Sequence, residues 1–425
     1  MKLFNKLKLP EMNRKMLMTR YVKTGFSMMT AVFFALSLIM MPQNADAQIA
    51  VQGEMVYTVS GDPIENGVVL INEGKIEAVG TAGSVQIPNG YEVHRAAVVT
   101  PGLIDARSVV GLAGYFNEDH DQDQLETTHA IQPELRALDS YNAREFLVEF
   151  LREMGMTTVH TGHGPGAVIS GQTMIVKTSG HTVDDALVHP STMIAATMGS
   201  GVRSNFNNPG TRAKAVAMLR QELIRAQDYA QKRADGELDS RDLKMETLAD
   251  LLDGEIRILI TAHTSHDIMT AIRLQREFDF PMVLDGASEA YLVMDEIKEA
   301  GIPVIIHPTM IRPSGEAKNA SMETAGKLFE AGIPVAFQSG FEGYVPKTRV
   351  ARYEAAVAAA NGMGMENALN ALTIGAAQIL GIGDRVGSLE EGKDADVVLY
   401  SGDPFEYTTN VQKVIINGEL VHTRD

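Results

Sequence analysis

The hexapeptide Glu299-Ala300-Gly301-Ile302-Pro303-Val304 returns 31 residues later as Glu330-Ala331-Gly332-Ile333-Pro334-Val335. Each copy reads as a helix end, a glycine stop and the start of an apolar strand. Strands that are apolar on consecutive positions and alternate with helices belong to a parallel sheet covered on both faces. Seven such strands are visible, at 102–106, 156–160, 193–198, 257–262, 281–284, 303–306 and 334–337. The stretch Val168–Thr178 is either an eighth strand or a hairpin insertion. Between them, Val216, Leu219, Leu223, Ala226 and Ala230 recur at helical spacing and mark a one-faced helix. The span 101–384 has room for an eight-unit (β/α)8 TIM barrel, which takes about 250 residues.

The two chain ends have a different texture. Residues 49–100 are short β-type runs separated by turns such as Ser60-Gly61-Asp62-Pro63 and Glu73-Gly74. Near the other end, Ala395–Tyr400 runs into Ser401-Gly402-Asp403-Pro404, and Val414-Ile415-Ile416 turns at Asn417-Gly418. Neither end alone buries much apolar surface. The fold class expected is α/β: a barrel over 101–384 plus one small composite β-domain built from 48–100 and 385–425.

Residues 1–47 read as an address. Lys2, Lys6, Lys8, Arg14, Lys15, Arg20 and Lys23 precede an apolar run, Phe26–Met41, and then Ala45-Asp46-Ala47. That is the order of a secretory signal cleaved after Ala47, leaving no stable membrane anchor. The 425-residue chain has no Cys, which removes disulfides, thiol nucleophiles and Cys-rich zinc sites. Export without cysteine suits a bacterial periplasm. A net charge of −17 argues against a nucleic-acid partner. The partner expected is a small-molecule substrate, with a homo-oligomer left open.

Aligned by their starts, the strands change character at the same place. Pro281–Leu284 ends at Asp285, Pro303–Ile306 at His307 and Pro334–Phe337 at Gln338. Leu259–Ala262 ends at His263, Met156–Val159 at His160 and Leu103–Ala106 at Arg107. In a parallel barrel these ends form the C-terminal rim, where active sites are built. A single polar strand end is ordinarily a satisfied cap. Six together, three of them His, predict a convergent polar pocket.

Two further segments reach that rim. Asp119, Asp121 and Asp123 alternate in the loop after the first barrel strand, as ligands of a hard cation or as a solvated acidic loop. His160-Thr161-Gly162-His163-Gly164-Pro165-Gly166 ends the second strand and adds His163. Gln172, Lys177 and the loop 201–210 are the segments that could close over the pocket.

Pro101-Gly102-Leu103-Ile104-Asp105-Ala106 resembles the opening of the amidohydrolase superfamily. Its closing motif is matched by Gly387-Ser388-Leu389-Glu390-Glu391-Gly392-Lys393-Asp394-Ala395-Asp396-Val397-Val398, with Gly381-Ile382 before and Val414–Gly418 after. The resemblance spans residues 50–425 and is most like the imidazolonepropionase-like branch. It implies a metal-dependent barrel that hydrolyses C–N bonds, often in cyclic amides or small peptides, with a metal-activated water. The family places His-x-His directly after the opening motif, whereas this chain has Arg107-Ser108-Val109. A guanidinium is donor-only and permanently charged, and Val109 has no ligand atom. His263 matches the family's middle-strand His, Asp285 stands where the next strand carries His, and Gly340 falls where the last strand carries Asp. Two surviving ligands are fewer than the three that a catalytic zinc takes. The family's two-metal site is therefore not expected.

Two functions remain open from sequence. The first is a C–N hydrolase with a divalent metal such as zinc on a rebuilt set drawn from His160, His163, His263, Asp285 and His307. Asp285 and His263 would be catalytic, and Arg107, Gln338 and Asp121 would bind substrate. The second is a degenerate enzyme fold that binds a small anionic ligand through Arg107 without metal.

Overall fold

The computed structural model describes residues 48–116, 118–310, 314–340 and 350–424. The signal read over 1–47 lies outside them. The first four strands are β1 (Ile49–Val56), β2 (Ile64–Asn72), β3 (Lys75–Thr81) and β4 (Glu92–Pro101). The barrel follows as β5 (Leu103–Ser108), β6 (Met156–Gly162), β7 (Ile169–Lys177), β8 (Leu187–Thr197), β9 (Arg257–Ala262), β10 (Met282–Gly286), β11 (Val304–Ile306) and β12 (Val335–Phe337). The chain closes with β13 (Val397–Tyr400), β14 (Val411–Ile416) and β15 (Glu419–Thr423).

Both chain ends share one seven-stranded sheet of order β15-β14-β13-β4-β1-β2-β3. The joint is antiparallel pairing of β13 on β4, with Val398 opposite Thr100 and Leu399 opposite Val99. Period-two alternation splits the sheet's apolar residues between two faces. Val51, Val69, Val99, Leu399 and Ile415 bury one side with Leu389, while Val398, Tyr400, Val414 and Ile416 bury the other. The last hairpin turns at Asn417 and Gly418, both at positive φ (50° and 79°), as an Asn-Gly pair of a tight β-turn requires.

The barrel sheet has the order β12-β11-β10-β9-β8-β7-β6-β5. All seven strands expected from sequence are present. The eighth is β7, and it runs antiparallel to both β6 and β8. The two alternatives for Val168–Thr178 are thus both realised: the segment completes the sheet, as a hairpin strand. Parallel strands need a crossover of about a dozen residues or more. The link from Gly162 to Ile169 is far shorter, so it reverses the chain. Gly162 and Gly166 (φ 155° and 126°) serve that reversal.

The repeated hexapeptide behaves as its chemistry dictates. Helices Met294–Glu299 and Thr324–Glu330 both stop at a left-handed glycine, Gly301 (φ 66°) and Gly332 (φ 81°). The amides of Ile302 and Ile333 reach back to the carbonyls of Ile297 and Leu328, 3.2 and 3.0 Å away. Each of these pairs is buried, giving the hydrophobic contact that accompanies such a stop. Helix Arg212–Asp235 buries Ala215, Leu219, Leu223, Ala226 and Tyr229. Val216 and Ala230, expected on that face, flank it half-buried.

Inside the barrel, Ile104, Ile175, Met193, Leu259, Val283 and Ile305 form one apolar layer with Ala336. Helix Ile374–Leu380 plugs it from below with Ala376, Ala377 and Ile379. No ladder joins β12 to β5. Side chains seal that seam: the Asp105 carboxylate accepts the Ser339 amide at 3.0 Å and the Ser339 hydroxyl. Below the plug, Lys177 ties the barrel to the terminal sheet, 2.6 Å from Asp396 and 3.6 Å from Asp394. Because β7 runs downward, Lys177 lies at the face opposite the rim and does not close over the pocket.

Candidate active site

Alternation along the strands carries the apolar layer into the rim. Two positions past Leu259, Val283, Ile305 and Ala336 stand Thr261, Asp285, His307 and Gln338, and all four line one cavity of about 70 Å³. Arg107, Ser108 and His263 line it as well, with Pro165 from the β6–β7 turn. Five residues expected at the site therefore converge: Arg107, His263, Asp285, His307 and Gln338.

Asp285 is held from two sides. Gln338 Nε2 donates to its Oδ1 at 2.5 Å and the Thr261 hydroxyl donates to its Oδ2. Arg107 donates through Nη1 to the Ser108 carbonyl at 2.9 Å and through Nη2 to the His163 carbonyl. It forms no direct ion pair with Asp285. Burial draws the Arg107 pKa below the ordinary guanidinium value, while the charges of Asp285 and then Asp105 oppose that. A guanidinium has so high an intrinsic pKa that it stays charged there. His263 places Nδ1 2.8 Å from the Ser288 hydroxyl. Burial lowers its pKa against the opposing charges of Asp285, Glu316 and Asp267.

Three expected residues are not part of this arrangement. His160 is fully buried below the rim. Its Nδ1 lies 2.7 Å from the Ala106 carbonyl, so that nitrogen carries the proton, and its Nε2 accepts from the Thr173 hydroxyl at 2.6 Å. Burial and then Arg107 hold its pKa down to about 3. With both nitrogens used, His160 is no metal ligand. His163 does not line the cavity; its carbonyl, not its ring, serves the site. Asp121 packs over Gly114 and accepts the amide of Glu118 at 3.1 Å, away from the cavity. The local backbone of the short helix Asp119–Asp121 draws it there.

Sequence reasoning missed the residues that make room or hold partners. A β-carbon on Gly286 would stand 2.7 Å from the His263 ring, and one on Gly340 would collide with His307. Both glycines also sit at positive φ, 78° and 76°. Thr261 and Ser288 supply the hydroxyls that fix Asp285 and His263. Thr261 had a readable signal, since it lies two positions past an inward Leu. Ser288 had none.

An eight-stranded barrel with a polar C-terminal rim, joined to a sheet shared by both chain ends, defines an α/β barrel whose ligand site lies at the strand C-termini. The model of the Amidohydrolase family matches residues 234–422. An amidohydrolase from Thermotoga maritima MSB8 superposes with a TM-score of 0.82 at 30% identity, covering 88% of this chain and 100% of that one. Imidazolonepropionase of Fusobacterium nucleatum is 24% identical over 420 residues, 88% of this chain and 97% of that protein. Amidohydrolase tasK of Hapsidospora irregularis is 22% identical over 391 residues, and this chain spans only 39% of its length. The chain belongs to the amidohydrolase superfamily, in its imidazolonepropionase-like branch.

Members of this superfamily typically use a metal such as zinc. The donors at this rim do not fit one. Among the described residues no three His, Cys, Asp or Glu side chains gather at a spacing that could hold an ion. Both oxygens of Asp285 already accept hydrogen bonds, and the cavity contains a fixed cation, Arg107. At about 4 Å and an effective dielectric of 20, a dication would meet that guanidinium with about 8 kcal/mol of repulsion.

Proposed function

We propose that the chain hydrolyses a C–N bond in a small substrate that carries a carboxylate, and that the rim cavity is its active site. The observation that carries this reading is the convergence of Arg107, Asp285 and His263 on one cavity, each fixed by a second group. Family membership supports the reaction class. Arg107 holds the substrate carboxylate or the oxyanion that forms as water adds to the carbonyl. Asp285, oriented by Thr261 and Gln338, takes the proton from that water. His263, kept neutral by burial, accepts at its free nitrogen the proton that Asp285 has taken and, as the imidazolium, gives it to the departing nitrogen as the C–N bond breaks, which returns both residues to their starting states. No step is routed through a metal.

A second reading is binding without turnover. It is favoured by the loss of the family's His-x-His and by the permanent charge that replaces it. One panel separates the two: N-acyl amino acids, dipeptides and cyclic amides assayed with EDTA-treated protein. The hydrolase reading expects turnover that EDTA leaves intact, loss of about 10²-fold or more in kcat for Asp285→Asn, and weakened binding for Arg107→Met. Ligand binding that depends on Arg107, with no product from any member of the panel, establishes the second reading instead. Turnover restored only by added zinc refutes both. The proposal places the mature protein in the periplasm with a small-molecule substrate; intact mass of exported protein, expected to begin at Gln48, checks the location.

A further inference from the structure

A second cavity, of about 410 Å³, opens in the helical layer beside the rim. That volume lies within the range of small-molecule sites. Its walls are helix Arg212–Asp235 and helix Ser265–Phe278. Val168, Met198, Leu219 and Leu274 give it an apolar floor. Three arginines stand around it, and two are committed. Arg212 lies 3.0 Å from Asp267 and also pairs with Glu316. Arg220 holds Glu277 through two bonds of 2.7 and 2.8 Å.

Arg273 differs. Its Nη2 donates to the Thr270 hydroxyl at 2.6 Å, and among the described residues it forms no ion pair. Of the three arginines that line the cavity, it is the one whose guanidinium is not engaged by a carboxylate. The guanidinium fork matches a carboxylate in two parallel bonds, while Val168, Met198, Leu219 and Leu274 offer a ligand body apolar contact and the Asp267 carboxylate on the wall is already engaged by Arg212. The cavity is separate from the rim pocket. Thr197 lines it and its hydroxyl accepts the Gly166 amide at 2.9 Å, while neighbouring Pro165 faces the rim pocket.

We propose that this cavity binds an amphipathic monocarboxylate, with an acyl chain along the floor and its carboxylate on Arg273. Titration calorimetry with octanoate and 1-octanol tests it on the full exported chain, on Arg273→Gln and on Ala213→Trp. Residues 213 and 273 are exposed helix positions, so both variants should fold, and far-UV circular dichroism verifies that. The expected result is one octanoate per chain, weakened on the order of tenfold by Arg273→Gln, with 1-octanol binding unchanged by that variant. Ala213→Trp, which fills the cavity, abolishes both. No octanoate binding at millimolar concentration, equal binding of acid and alcohol, or no effect of Arg273→Gln overturns the proposal. Octanoate binding lost in Arg107→Met but kept in Ala213→Trp places the carboxylate at the rim and overturns it too.

Discussion

Replacing His163 by Leu should make the protein more resistant to acid. His163 is 5% exposed, and among the described residues neither ring nitrogen has a hydrogen-bond partner. Burial, and then the charge of Arg107, lower its pKa to about 4. In the unfolded chain the imidazole titrates near 6.5. Between those values the unfolded chain binds a proton that the folded one does not, so stability falls as pH falls. The limiting slope is about 1.4 kcal/mol per pH unit, halved at the unfolded pKa itself, so the change between about pH 6.5 and 4.5 is about 2 kcal/mol. Leucine keeps apolar contact in the same space and abandons no hydrogen bond, so at neutral pH the two proteins should differ little. Urea unfolding of both proteins across that pH range gives the answer. The gap should open in favour of the variant by about 2 kcal/mol. Parallel curves would mean that His163 is not a buried neutral imidazole, and the electrostatic picture of the Arg107 neighbourhood would fall with it.

Asp105 carries the opposite sign. Burial raises its pKa to about 6, against the Ser339 bonds that favour the charge. Its contribution is fully present below about pH 3.8 and is lost as pH rises to about 6, a change of about 3 kcal/mol. Asp105→Asn should remove that component from the same urea series, and an unaltered slope would reject it. Lys177→Met should cost about 3–5 kcal/mol, because Asp394 keeps Lys75 and Arg385 while buried Asp396 loses its ion-pair partner. Chemical denaturation showing a loss below about 1 kcal/mol would mean that this charge cluster does not hold the barrel to the terminal sheet.

What could be read from the sequence followed from period. The strand starts were visible as apolar runs, and a side-chain period of two fixed which later residues would face inward. That is why Asp285, His307 and Gln338 were found together. The same rule nominated His160, and there it misled. His160 meets Thr173 on β7, and the direction of β7 depends on how short the preceding turn is. Asp121 was nominated by its place after the first strand, but loop position does not follow from strand order. Gly286 and Gly340 have no one-dimensional signature, because the rings they accommodate come from other strands.

Strand β5 explains how a rim without the family's first two ligands keeps its shape, and it leads to a last expectation. A metal at the rim would tie several strands through one centre. Here two residues of β5 reach in different directions. Asp105 grips Ser339 beyond β12, and Arg107 grips the His163 carbonyl beyond β6. Restoring histidine at 107 therefore should not restore a metal site. An imidazole has one donor where the guanidinium satisfies two carbonyls, so the Ser108 or His163 carbonyl would be left unpaired, at about 1–3 kcal/mol. Val109 still offers no ligand atom, and Asp285 stays engaged by Thr261 and Gln338. Arg107→His should thus be less stable than the parent and should purify without stoichiometric zinc. Elemental analysis settles it: one zinc per chain, with stability retained, would show that Arg107 is a simple substitution for a ligand rather than the tie that replaces the metal.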